Sequence, residues 1–364
     1  MNRILRILGG ILIGLLVIYL VWRFSAIVTY LAIAIVLSLI GQPMVRRFNA
    51  MRIRRFHIPN GLSAFLALLV IILIVLGFVS IFVPLIASQA SLVGNIDFDM
   101  LGSAMQKPIS DIEVFLRHYN LLSRDENLRQ IFAQQIESIL NFASFSQALT
   151  SIIGFTGSLF IASFSILFLT FFFMKDSYLL DELVENLTPV NYHNEVQSVL
   201  TQSKRLLSRY FIGLLIEITT MMTLLSVGLS IFGVENALLI GFFGGLMNVI
   251  PYLGPIIGTA VAVMLTIFTA LSTGMTSDLL TLIIIVMSVF AVSNLIDNIV
   301  LQPLIYSNSV KAHPVEIFLV ILIAGSIAGI AGMILAIPTY TVLRVIAKEF
   351  LSQVKVVQKL TKNI

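Results

Sequence analysis

The sequence has no cysteine, a single tryptophan and few charges. Without cysteine there is no disulfide framework, no thiol nucleophile and no thiolate metal ligand. Charged residues make up 11% of the chain, against roughly 25% in an ordinary soluble domain, so a normally solvated surface cannot be built. Histidine is scarce as well: His57, His118, His193 and His313 lie far apart, and none pairs with another at metal-ligand spacing. Also missing are a G-x-x-x-x-G-K phosphate loop, an H-E-x-x-H zinc helix and a G-x-S-x-G nucleophile elbow. These absences exclude ATP hydrolysis within the chain, argue against an enzyme, and leave no cofactor or metal expected.

What the chain has in abundance is apolar side chain, 58% of 364 residues, with a mean hydropathy of +1.03. No water-soluble fold of this length hides that much apolar surface, whereas spans of about 20 residues in a bilayer leave it facing lipid. The expected fold is all-α: a polytopic integral membrane protein. The net charge of +4 sits in short clusters beside apolar stretches rather than along one face, which points to topogenic signals and not to nucleic acid.

Along the chain, residues 4–22 and 25–42 form a helical hairpin around Trp22, Arg23 and Phe24. The first stretch resembles a signal peptide but has no small-residue cleavage site before Trp22, so an uncleaved span is expected. Arg46, Arg47, Arg52, Arg54 and Arg55 fill the next loop, and 62–87 is a third span, completing an N-terminal membrane region over 1–87. Residues 88–148 are different: acidic on balance, with apolar residues at helical spacing (Ile109, Ile112, Phe115, Leu116). A small external helical subdomain is expected there, serving packing, oligomer contact or partner binding. A span follows at 149–174, then an amphipathic segment at 175–210 lying on the cytoplasmic membrane surface. Residues 211–346 form a C-terminal membrane region, and 347–364 a basic cytoplasmic tail.

Most of the 22 lysines and arginines fall in the N-terminus, the 43–60 loop, the 175–210 segment and the C-terminal end. By the positive-inside rule these share the cytoplasmic side, with both termini inside and 88–148 outside. An even number of crossings follows: eight if 236–272 crosses twice and 314–346 enters and returns, six if both only enter and return. Eight is the favoured count.

The most informative stretch is Asn248-Val-Ile-Pro251-Tyr-Leu-Gly254-Pro255-Ile-Ile-Gly258. Each proline removes an amide donor and clashes with the preceding turn, so carbonyls near Met247 and Pro251 are expected to lose intrahelical partners. Inside a bilayer such groups must face protein, water or a solute. Broken helices at membrane depth build solute sites in many transporters; the plainer alternative is a kink satisfied by neighbouring helices.

Two ionisable residues stand inside apolar spans. Glu217 lies two turns beyond Arg209, as a functional carboxylate or as an interhelical hydrogen-bonding group. Asp297 shares a face with Ser293, Asn294 and Asn298, which forms either the wall of a water-lined path or a helix end dipping into the interface. His313, Pro314 and Glu316 read as a helix start, with proline at the first position and an acid near the positive dipole end. Gly325, Gly329 and Gly332, like Gly241/Gly245 and Gly254/Gly258, allow close helix packing.

Four motifs in order, Ile250-Pro-Tyr-Leu-Gly-Pro-Ile-Ile-Gly258, Asn294-Leu-Ile-Asp297-Asn-Ile-Val-Leu-Gln-Pro303, His313-Pro314, and Gly325 through Gly332 with Met333-Ile-Leu-Ala-Ile-Pro338, resemble the autoinducer-2 exporter family of bacterial membrane proteins. The resemblance covers roughly 235–345. It implies a small-solute or ion permease in the bacterial cytoplasmic (inner) membrane. Autoinducer-2 is one implied cargo, sodium/proton exchange another implied activity, and a homo-oligomer, in particular a pentamer, the implied assembly. Relatives of this kind often carry a carboxylate where this chain has Asn248, which places ion coupling at that position in question. The combined expectation is a secondary exporter whose path is lined by Asn248, Pro251, Gly254, Pro255, Glu217, Asn294, Asp297 and Asn298. The alternatives are a sodium/proton antiporter, and a membrane scaffold that binds a partner through 88–148.

Overall fold

A computed structural model of the chain describes residues 22–53, 56–94, 157–273, 278–303 and 313–351, with isolated positions elsewhere. Most of the expected first span at 4–22, most of the expected subdomain at 88–148 and most of the basic tail lie outside the described residues. From the subdomain, Arg117 forms a one-turn ion pair with Glu113 at 2.7 Å.

The described residues are helical apart from turns and a two-residue antiparallel pairing of Arg52–Ile53 with Phe56–His57. We label the helices α1 (Ser25–Ala50), α2 (Asn60–Gly94), α3 (Gly157–Lys175), α4 (Leu179–Asn186), α5 (His193–Ile231), α6 (Ala237–Met247), α7 (Leu253–Thr273), α8 (Leu279–Ile296) and α9 (Pro314–Phe350). By length and composition six of them, α1, α2, α5, α7, α8 and α9, qualify as bilayer spans, α9 only when its two limbs on either side of Ala328 are taken as one; a seventh span results if α3 and α4, bent by 88°, are taken together. The chain is an all-α polytopic membrane protein.

Two details depart from the sequence-based boundaries. The boundary at 210 does not end a helix: α5 runs unbroken for 39 residues, about 58 Å, so 193–209 continues directly into the apolar stretch that follows it. The stretch 236–272 divides unequally. Its first limb, α6, has 11 residues, about 16 Å, or half a hydrocarbon core of about 30 Å; its second, α7, has 21.

The chain forms two compact units, Met1–Val75 with Thr156–Phe211 and Leu76–Phe155 with Ile212–Ile364. In the first, α1 packs along α3, and Val45, Ala64, Ala67, Leu68, Ile71 and Met174 close a small core. Gln42 caps the end of α3, its Nε2 donating to the Phe173 and Met174 carbonyls at 3.3 Å each, carbonyls that a helix end leaves without intrahelical partners. Lys204 fixes the bend between α3 and α4 through Asp181 at 2.7 Å and the Ser177 carbonyl at 3.0 Å.

The second unit is built on α6. Phe242 of α6 stacks on Phe82 of α2 with ring centroids 4.0 Å apart. Ile240, Leu225 of α5, Leu265 of α7 and Phe290 of α8 complete a fully buried cluster. Lipid tails are as apolar as these side chains, so close packing rather than water exclusion favours this arrangement. Glycine supplies the closeness: Gly258 of α7 lies against the Gly244 backbone, and a Cβ at Gly254 would collide with the Met247 carbonyl.

Helix α9 is a second hairpin. Ala328 and Gly329 leave helical geometry, Gly329 at φ 59°, ψ −143°, a region open almost only to glycine. The Tyr340 hydroxyl donates to Glu316 Oε2 at 2.9 Å across 24 residues, a separation that a straight helix would stretch to about 36 Å. The chain therefore folds back on itself, with 314–327 and 330–350 as its two limbs.

Candidate functional site

The path from sequence to site runs through helix register. A short turn at 232–236, with Gly233 and Asn236 at positive φ, reverses the chain from α5 into α6. Gly241 then rests on Ser226, and Gly245 on Met222 and the Ile218 carbonyl. The same antiparallel register carries the next inward position of α6, Asn248, to Glu217. On its other flank α6 meets α8, with Gly244 against Phe290, and Asn248 reaches Asp297.

Asn248 Nδ2 donates to Glu217 Oε1 and to Asp297 Oδ2, each at 3.3 Å. All three residues are buried, at 4%, 2% and 1% exposure. One amide thus bridges two carboxyl groups at the tip of a half-length helix. Asp297 Oδ2 also accepts from Gln302 Nε2 at 2.9 Å, while Asp297 Oδ1, equally buried, has no hydrogen-bond partner among the described residues. Ser293, one turn before Asp297 on α8, is buried beside it in the helix.

The Asp297–Gln302 bond depends on a local irregularity. Residues 297–301 form a π turn in which the Gln302 amide donates to the Asp297 carbonyl. In an α-helix a residue five positions on points to another face; the wider π turn stacks it above its partner. Such turns collect at functional sites. Sequence reasoning missed Gln302, although it stands within the 294–303 motif as the polar residue just before Pro303.

The other expected path residues divide. Asn294 is half-buried and Asn298 exposed, so the polar stripe on α8 narrows to Ser293 and Asp297. Pro251 and Pro255 frame the turn between α6 and α7, with Pro255 in the first turn of α7, where an amide is not needed. The carbonyls expected to be bared are paired inside that turn: Met247 O accepts from the Ile250 amide at 3.1 Å, and Pro251 O from the Leu253 amide at 2.8 Å. The turn tightens enough to satisfy its own backbone, with Tyr252 at φ 66°, and the side chain of Asn248 becomes the group that addresses the interior.

His313 Nδ1 accepts the Val315 amide at 3.3 Å at the start of α9, with Pro314 in the first turn. Glu316 points across the hairpin to Tyr340. Gly325 and Gly332 lie beside the reversal, where a Cβ would meet Met333 and the Ala324 carbonyl. The two hairpins touch: Ile250 at the first tip is buried with Ile321 and Ala336 of α9, and Tyr252 meets Phe318 edge to face.

At the far end of α6 lies a polar cluster that the sequence did not signal. Asn236 Nδ2 donates to Thr269 Oγ1 at 3.1 Å and to Gln89 Oε1 at 3.4 Å, and Gln89 Nε2 donates to Thr269 Oγ1 at 3.4 Å. A small cavity opens beside it, lined by Glu235, Thr266, Thr269 and Thr273 among others. No group of three metal-binding side chains occurs among the described residues.

Comparison with known proteins points to membrane transport. "Putative transport protein YueF" of Bacillus subtilis is 27% identical over 90% of this chain and 85% of its own length. "Putative transport protein YrrI" of the same organism is 34% identical over 53% of the chain and 52% of its length, so the chain spans about half of that relative. "Putative transport protein MJ1177" of Methanocaldococcus jannaschii is 24% identical over 89% of the chain and 90% of its length. A family model described as AI-2E family transporter matches residues 9–352, and with nearly the whole chain covered the protein belongs to that family, one of membrane transporters rather than enzymes.

Proposed function

We propose that the protein is a secondary exporter of a small solute, as in the autoinducer-2 exporters, and that Glu217, Asn248 and Asp297 form the centre that couples export to a monovalent cation. The observation that carries this reading is the sharing of one amide by two buried carboxyl groups. Charge in an apolar interior is costly unless it is paired or neutralised. Neutral amide donors relieve that cost in part and leave room for a proton or a sodium ion to complete it. The tip of α6 is a suitable place for a moving part, since a half-length helix held by side chains releases fewer backbone bonds than a full span when it shifts.

The bilayer and a small polar solute are the partners this reading requires. A homo-oligomer, a cytoplasmic-membrane location and cytoplasmic termini are part of the same proposal, supported by family membership and by the distribution of lysine and arginine. A second reading, a sodium/proton antiporter, is favoured by the same acid pair and differs in having no organic cargo.

Proteoliposome flux separates them. For the exporter, autoinducer-2 efflux should depend on the cation gradient and fall in Glu217→Gln and Asp297→Asn. For the antiporter, a sodium gradient should discharge a pH gradient with no organic solute present. Solute efflux that ignores both substitutions contradicts the proposed centre.

A further inference from the structure

We propose that Gln302 is a positioning residue: through the π turn it holds Asp297 Oδ2, leaves Oδ1 to receive the coupling cation, and so sets the affinity of the centre without touching the ion. The inference rests on the reading of Glu217, Asn248 and Asp297 as the coupling centre.

The geometry carries it in three steps. A carboxylate rotates about its last bond unless its oxygens are distinguished by their contacts. Here they are: Oδ2 accepts two amide donors, from Gln302 at 2.9 Å and from Asn248 at 3.3 Å, and Oδ1 accepts none among the described residues. Of the two, the Gln302 bond is the shorter and lies within a single turn of chain, so it moves with Asp297.

The second step is the cost of the turn. A π turn widens the helix and is retained in few places, often functional ones. Here its local product is the alignment of Gln302 with Asp297, reinforced by the backbone bond from the Gln302 amide to the Asp297 carbonyl. A regular α-helix would place Gln302 about 140° around the axis from Asp297, at 100° per residue.

The third step concerns what Gln302 does not do. Its Nε2 is a donor turned to the carboxylate, and a donor in that position repels a cation rather than ligating it. Its effect on the ion is therefore indirect, through which oxygen of Asp297 is exposed and how firmly it is held. Asn248 differs, because it links the centre to the tip of α6 and should alter the transport cycle itself.

The test uses the full chain in proteoliposomes, with initial flux measured against sodium concentration and, in parallel, against pH. Gln302→Met keeps length and bulk but removes the donor. Because a carboxylate that loses a donor holds a cation more tightly, it should lower half-saturating sodium, or the proton concentration that replaces it, about tenfold, the weight of one hydrogen bond to a charged group. The maximal rate should stay within about twofold, as expected when binding alone is altered. Gln302→Glu, which turns an acceptor to the carboxylate, should shift half-saturation further in the same direction and gives the same reading if the Met variant does not reconstitute. A fall in maximal rate with unchanged half-saturation, while Asp297→Asn abolishes the cation response, overturns the role of Gln302 and leaves the coupling centre standing. A wild type that answers to neither cation, or an Asp297→Asn variant that keeps the response, overturns the centre and this inference with it.

Discussion

Helix α6 is closed at both ends by asparagine, exposed at the first end and buried at the second. Asn236 meets a hydroxyl and an amide, Thr269 and Gln89; Asn248 meets two carboxyl groups, Glu217 and Asp297. The same side chain, on the same 11-residue helix, is at one end part of a neutral anchor and at the other the shared partner of two acids. Neutral groups bonded to one another need nothing further. Acids buried together have a protonation or cation-bound state that can change, and a transport cycle requires a part with two states.

The acidic end should be the more sensitive of the two. Asn248→Leu keeps the volume and removes the donor that both carboxyl groups share; cation-coupled flux should fall by about 100-fold, the scale of losing two hydrogen bonds to charged groups. Initial rates at matched protein density check it. Next in size is the wedge between the helices. Gly258→Leu forces α7 away from Gly244 and should lower stability by about 1–3 kcal/mol, as over-packed sites do, with a lower thermal midpoint in detergent.

At the neutral end, Asn236→Ala should cost about 1 kcal/mol of stability, the usual net weight of a hydrogen bond, and leave half-saturating cation unchanged. If it moved the cation response as Asn248→Leu does, the contrast between the ends would be lost. Smallest should be Tyr340→Phe, which removes only the hydroxyl bonded to Glu316 and should cost about 0.5–1.5 kcal/mol with flux little altered. Thermal midpoint and flux measured on the same preparation check both.

The membrane fold is legible from composition and from the length of the apolar runs, because continuous apolar stretches of about 20 residues satisfy their backbone in lipid as helices. A break at 248–258 is readable too, since proline marks where helical geometry must stop; at 314–346 the glycines read as packing sites, and only the lysine and arginine count points to a return. Glu217, Asn248 and Asp297 stand out as polar residues in apolar spans, yet their meeting is invisible in one dimension. It depends on glycines at 241, 245 and 244 setting the register of α6 against α5 and α8. Gln302 is hidden for a different reason: its alignment with Asp297 requires a π turn, and a search at spacings of three and four passes over a partner five residues away. The bared carbonyls expected at the prolines are absent because a tight turn, with Tyr252 at positive φ, pairs them locally.

Infrared difference spectroscopy on the reconstituted protein, as sodium replaces potassium, reads whether the Glu217–Asn248–Asp297 cluster receives the coupling cation. Carboxyl and carboxylate bands should change in the wild type and lose that change in Glu217→Gln and Asp297→Asn. Bands that respond to sodium equally in all three proteins would place the cation elsewhere.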